Sequence, residues 1–450
     1  MTTHRYTLAI LWVVLVATAC ARQEPNYCAT APNHNCLDLD GSISCRSDQD
    51  CTGAAAVCDV DKSKTCVQCT ATRPEACVAT TPVCGMDNMC RRCTAHADCG
   101  SLVCLPDGSC AVEASVAYVA PGGSGTACTK TAPCGTLDDG VKRSVPNVKL
   151  AMGLVKDNKT TTIDGQAVAI FADSGAKLDR DGDGPIIQVQ SNGADVKVSD
   201  LEIAGATGTA GGDGIDLTPN GGNPKLTITH VTIDGNQGFG ISASGGTLII
   251  SQSTVSGNTG GGISVTGGTL TISQSTVSGN TGGGISVTGA SSTFGITNSF
   301  ITYNGVATGP GATQVGGASL RPNTVGSEFE RNTLAFNQSD GAIFRGGVTC
   351  TGAMVSATGN IVYRNTEGTN TSNATQLGGN CQFGNTLALG SVPGDLGFKS
   401  PLTSPFDFHL AAASPASVVD AAGACTGVDF DGDTRPIGTA CDLGADERKP

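Results

Sequence analysis

The chain has 450 residues, of which 63 are glycine, 14% are charged and 4% are aromatic, and its net charge is −13. That length can bury a sizeable core, while abundant glycine and sparse charge argue against both a helical bundle and a disordered chain. The acidic balance, with no run of Lys and Arg, argues against nucleic acid and anionic membrane surfaces as partners, because neither would find a basic patch to neutralise its phosphates.

Residues 1–19 read as a secretory signal peptide. His4 and Arg5 form a polar start, and Leu8 to Ala19 is a 12-residue apolar stretch, too short to span a bilayer. Ala17-Thr18-Ala19-Cys20 resembles the bacterial lipobox, in which the cysteine is lipidated. Ala17 stands where that motif usually has Leu, and Ala-x-Ala is also the general cleavage pattern. Cysteine parity favours lipidation: of 21 cysteines, setting Cys20 aside leaves 20 for disulfides. The expectation is a lipidated Cys20 with a tether over 20–27, attachment to the membrane through lipid alone, and a location at the outer membrane or cell surface.

Residues 28–110 hold 14 cysteines. Three modules of four start at Cys45, Cys69 and Cys93, a spacing of 24. With few large apolar residues, such modules depend on cross-links for stability, and two disulfides each is the expectation. Zinc is the rival, since Cys66-Val-Gln-Cys69 and Cys90-Arg-Arg-Cys93 are C-x-x-C units; export to an oxidising compartment favours disulfides. Four cysteines allow three pairings, and the sequence does not choose.

From 116 to 447 short β-branched runs alternate with Gly, Asn, Asp and Ser, a pattern of many short strands. Gly240 to Gly261 and Gly262 to Gly283 are near-copies that differ at Ala243/Val265, Ser244/Thr266 and Ile249/Thr271. A period of 22 residues predicts an all-β solenoid, a right-handed parallel β-helix, in which one coil has no core and a stack has a continuous one. Each copy splits into three strands, at Ile263–Val265, Leu270–Ile272 and around Val277, with Ile, Val and Leu inward and Ser and Thr outward. Asn236, Asn258, Asn280 and Asn304 recur at the bends, as an asparagine ladder or as residues tolerant of left-handed turns. About 11 coils at roughly 4.8 Å would give a rod on the order of 50 Å long.

These features resemble the right-handed parallel β-helix superfamily that includes pectate lyases. Asp429-Phe-Asp431-Gly-Asp433-Thr-Arg435-Pro436-Ile-Gly438, then Cys441-Asp442-Leu-Gly444-Ala-Asp446-Glu447, resembles the closing motif of bacterial choice-of-anchor Q proteins. Phe408-His-Leu410 and Ser414-Pro415 resemble its closing coil, although an aromatic residue is commoner where Asp446 stands. Pro133 to Val141 resembles the short helix that caps the first coil. Local disulfides are expected between Cys128 and Cys134, Cys350 and Cys381, and Cys425 and Cys441.

Two function classes stay open. One is a non-catalytic scaffold for adhesion, glycan contact or envelope structure, whose partner is an extracellular polysaccharide or another surface protein. The other is a lyase or hydrolase acting on acidic polysaccharides. Such enzymes need charges projecting from neighbouring coils, yet Asp234 is the one Asp, Glu, Lys or Arg between Lys225 and Arg321. Catalytic candidates are Asp213, Asp216, His230 and Asp234, and a second group of Glu328, Glu330, Arg331, Arg345 and Arg364. Structural Ca²⁺ is the one cofactor expected. Asp179-Arg-Asp181-Gly-Asp183-Gly184 matches the first half of a D-x-D-x-D-G loop, with Gln190 where the closing Glu would fall, and Asp429, Asp431 and Asp433 repeat the spacing.

Overall fold

The structure is a computed structural model. It describes residues 36–37 and 43–449, apart from 79, 181, 209–210, 290, 308–312, 323–325, 342–344, 371, 373–375 and 391–395. The signal, Cys20 and Asp181 therefore lie outside the described residues. The chain divides into two compact units, 1–111 and 112–450.

In the first unit each module pairs its first cysteine with its third and its second with its fourth. The bonds are Cys45–Cys58 and Cys51–Cys66, Cys69–Cys84 and Cys77–Cys90, then Cys93–Cys104 and Cys99–Cys110. Cys66 and Cys69 thus belong to different modules, which removes the zinc reading of that C-x-x-C unit. A short 3-10 turn precedes the second cysteine of each module. Asp50 and Asp98 close two of these turns by accepting backbone N–H groups from Arg46 and Ser47 and from Thr94 and Ala95. The buried apolar centre is largely the cystines themselves, with Cys45, Cys51 and Cys58 packed together.

The second unit is a parallel β-solenoid with a triangular section. An 18-stranded sheet wraps two faces and a ten-stranded sheet makes the third. Ten rungs correspond to about nine turns, fewer than the eleven expected from length, because residues 396–449 leave the stack. Within the repeat the strands are Gly261–Val265, Thr269–Ser273 and Thr276–Ser278. Ile241, Ile263 and Ile285 lie in register, as do Val255 and Val277, and all are buried in one continuous core. Helix α1 (Leu137–Lys142) covers the first coil, inserting Leu137 and Val141 into that core.

Two side-chain ladders run through the corners. From Thr232–Asp234 to Ile361–Tyr363, each strand of the third face is followed by a left-handed residue: Gly235, Gly257 and Gly279, then Tyr303, Phe336 and Arg364. The next residue is always Asn. Asn280 shows the pattern: its Oδ1 accepts from the backbone N–H and Nδ2 of Asn258, while its Nδ2 donates to Asn304 Oδ1 and to the Val255 carbonyl. The ladder runs from Asn236 through Asn337 and Asn365 to Gln376. At the opposite corner Ser253, Ser275 and Ser299 form a second ladder, each hydroxyl accepting the N–H of the preceding coil. It continues into Asn332 and Asn360. These buried polar groups are satisfied along the stack, so each coil completes its neighbour.

Candidate glycan cleft on the third face

The third face presents two outward columns. One reads Glu202, Thr232, Thr254, Thr276, Phe300, Thr333, Ile361 and Leu387 along the stack. The other reads Ala204, Asp234, Ser256, Ser278, Thr302, Ala335, Tyr363 and Leu389. Their chemistry passes from charged, through hydroxyl, to apolar. An apolar outer face must be covered, and the cover is the C-terminal segment that the sequence resemblance treated as a closing coil. Instead of extending the stack, residues 396–449 lie along this face. Phe398, Phe408, Leu410, Val418, Leu443 and Ala445 pack on Phe300, Ala335, Ile361 and Tyr363 as a second core.

Polar contacts fix the segment in place. Gln274 Nε2 donates to the carbonyls of Asp429 and Phe430, Thr333 Oγ1 accepts from the Ala445 N–H, and the Gly444 N–H reaches the Gly359 carbonyl. The Tyr303 hydroxyl donates to the Pro401 carbonyl, and its ring stacks on Phe336 at 5.0 Å. Inside the segment Arg435 and Glu447, both fully buried, pair at 2.6 Å. Arg435 also donates to the Asp442 and Gly444 carbonyls, which satisfies its terminal nitrogens and leaves the buried Nε without a partner.

Where the cover ends, a cleft of about 830 Å³ opens. Thr276, Ser278, Phe300 and Thr302 form its floor; residues 403–409 of the antiparallel hairpin Phe398–Ser400/Asp407–Leu410, together with Phe430, form its wall. Phe406 is 49% exposed on the rim, although its ring lies 4.2 Å from Tyr303. His409 stands edge-on between Phe300 and Phe430, at 5.2 and 5.4 Å. Its Nδ1 is 2.6 Å from Asp407 and its Nε2 3.1 Å from Asp431. Burial alone would raise the Asp407 carboxyl, but the backbone N–H and ring of His409 hold it below the usual range. Burial pushes Asp446 up to about 6, opposed by the Leu410 N–H and by His409 and reinforced by Asp429 and Asp431. The result is an open slot that combines aromatic faces, hydroxyls and a fixed carboxylate–imidazole pair.

The residues singled out from sequence lie elsewhere and do not gather into one site. Asp213 sits in the loop before Ile215–Thr218 and accepts the Phe239 N–H at 2.6 Å; burial raises it. Asp216 faces outward on the first face, bonded by Thr218 and Gln188. His230 occupies a corner 3.7 Å from Asp200. Asp234 is on the third face, raised by burial and by Glu202, against the pull of Lys177. Arg331 and Glu330 pair at 3.2 Å, Arg345 meets both oxygens of Glu367 at 2.8 and 3.1 Å, and Arg364 lies over the Tyr363 ring at 5.3 Å. Glu328 is exposed on the second face.

In the first acidic loop the Arg180 guanidinium donates to the carbonyls of Asp183 and Pro185, and Asp179 accepts the Arg180 N–H. Buried Asp429 caps its own turn by accepting the Asp433 and Glu447 N–H groups, whereas Asp431 and Asp433 reach Lys449. Cys128–Cys134, Cys350–Cys381 and Cys425–Cys441 are bonded. Phe406 and Asp407 belong to no motif in the sequence, and His409 and Phe430 stand there only inside the closing motif. Their signal was the break in outward hydroxyls at Phe300, Ile361 and Tyr363.

The family model agrees on the fold. Residues 213–387 match the family model described as a right-handed β-helix region. A solved pectate lyase, Pel9A, aligns over 74% of this chain and 96% of its own, with 15% identity and a TM-score of 0.44. No curated protein matches. The class defined by topology and family model is the right-handed parallel β-helix, here preceded by a disulfide-rich segment.

Proposed function

We propose that this chain is an exported, lipid-anchored surface protein whose β-helix is a non-catalytic scaffold that binds a neutral extracellular glycan in the third-face cleft. One observation carries the reading: the hydroxyl columns of the third face lead into a slot walled by Phe406, Phe430 and His409. Sugars are held by such combinations, with an aromatic face against the ring and hydroxyl and carboxylate groups against its edges. The acidic balance favours an uncharged polymer over a polyuronate. Attachment through Cys20 and the resemblance to the choice-of-anchor Q family support a place on the outer membrane, with the disulfide modules as a stalk.

A glycan array followed by calorimetry on the mature protein tests the reading. Binding of a neutral oligosaccharide, weakened about tenfold or more by Phe406→Ala, is the expected result. Incubation with pectin or alginate should yield no ultraviolet absorbance from unsaturated products. Such absorbance, or an array with no hits, would overturn the proposal.

A further inference from the structure

We infer that His409, Asp431 and Asp446 form a binding site for one divalent metal ion of the zinc and manganese class. Each offers a donor atom, and the three atoms lie within 4.8 Å of one another. One imidazole with two carboxylates is a donor set that such borderline ions accept, and three protein ligands leave positions for water or a ligand hydroxyl.

Two observations point beyond an acidic cluster. Asp407 lies 2.6 Å from His409 Nδ1 and also accepts the His409 backbone N–H at 2.9 Å. An outer carboxylate on Nδ1 is how metal-binding histidines are oriented, and with Asp407 there Nε2 is the nitrogen that would take the ion. Asp446 is only 4% exposed, and one of its oxygens accepts the Leu410 N–H at 2.7 Å. Among the described residues no group donates to its other oxygen and no Lys or Arg pairs with it. Arg435 is committed to Glu447, and Lys449 pairs with Asp433 at 2.7 Å and reaches Asp431 Oδ2 at 3.6 Å, not Asp446. Asp446 is thus a buried carboxylate, one oxygen of which receives no donor, next to the His409 and Asp431 donor atoms. An ion there would join the hairpin to residues 429–447 and so fix the wall of the cleft.

The test uses mature protein stripped with EDTA and titrated calorimetrically with ZnCl₂ or MnCl₂ alone, so it does not depend on any glycan. One saturable equivalent should bind. His409→Gln and Asp446→Asn should abolish it, and Asp407→Asn, which leaves all three ligands, should weaken it about ten- to a hundredfold. His230→Ala should leave it unchanged. In the wild-type protein Zn²⁺ should shift the imidazole nitrogen signals of His409 and leave those of His96 and His230 in place, a reading that needs no variant to fold. No saturable binding, binding that survives His409→Gln, or shifts confined to other histidines would overturn the assignment.

Discussion

At the residue scale the fold depends on amides that leave no donor or acceptor idle. Asn280 engages its side-chain oxygen and nitrogen in four hydrogen bonds, all buried. Asn280→Ala should therefore cost about 3 kcal/mol, because it strands the backbone N–H and amide of Asn258 as well as removing its own bonds. Equilibrium denaturation of the wild type and the variant measures this. The ladder was partly legible: the 22-residue spacing marked Asn236, Asn258 and Asn280, but the choice between ladder and turn residue needed the geometry. The ladder reading holds and the turn reading does not, since the left-handed residue is Gly235, Gly257, Gly279 or Tyr303 and the Asn follows it. The serine ladder is as regular in the sequence, in Gln252-Ser253 and Gln274-Ser275, but Ser also fits an outward position, so spacing alone does not distinguish the two.

At the element scale, strands and their inward faces were readable from alternation, whereas the C-terminal segment was not. Its motif resembled a closing coil, and local sequence carries no information about which surface a segment of 54 residues (396–449) will cover. That information was distributed over the stack, in the switch from Thr254 and Thr276 to Phe300 and from Ser256 and Ser278 to Tyr363. The same switch occurs at the corners, where Gly279 gives way to Tyr303 and Phe336. Both rings accept a strained left-handed backbone there, and both contact the covering segment. Phe408 is the central anchor, touching Phe300, Tyr303, Phe336 and Phe398. Phe408→Ala should destabilise the cover by about 3–5 kcal/mol. Limited proteolysis should then cut within 396–449 at least about a hundredfold faster, while the coils stay resistant.

At the scale of the whole molecule the β-helix is a sum of coils and contacts between neighbours. Removing residues 240–261 deletes one full copy and returns every strand to an equivalent neighbour. The shortened protein should fold and unfold cooperatively within a few degrees of the parent, as followed by circular dichroism. Removing only 21 residues should abolish folding, because a one-residue slip turns inward side chains outward. Charge was the hardest property to interpret at this scale. Residue type alone marks the titratable candidates, and the structure disperses them over three faces, whereas Asp407 and His409, two apart on one strand, acquire their place beside Phe300 from a hairpin folded across distant coils.

The near-identical copies precede the covered coils, and the second meets the cover at its edge, where Gln274 bonds it and Thr276 and Ser278 lie in the cleft floor. Duplication there adds rows to the uncovered surface without moving the cleft or its anchors. The molecule is in that sense a ruler with a fixed stop: under the proposed function the cleft is the stop, and each inserted coil extends the graduated edge by one division. Length can be selected independently of recognition, so variants of this chain with more or fewer copies should differ in how much of a polymer they hold, and not in which polymer they choose.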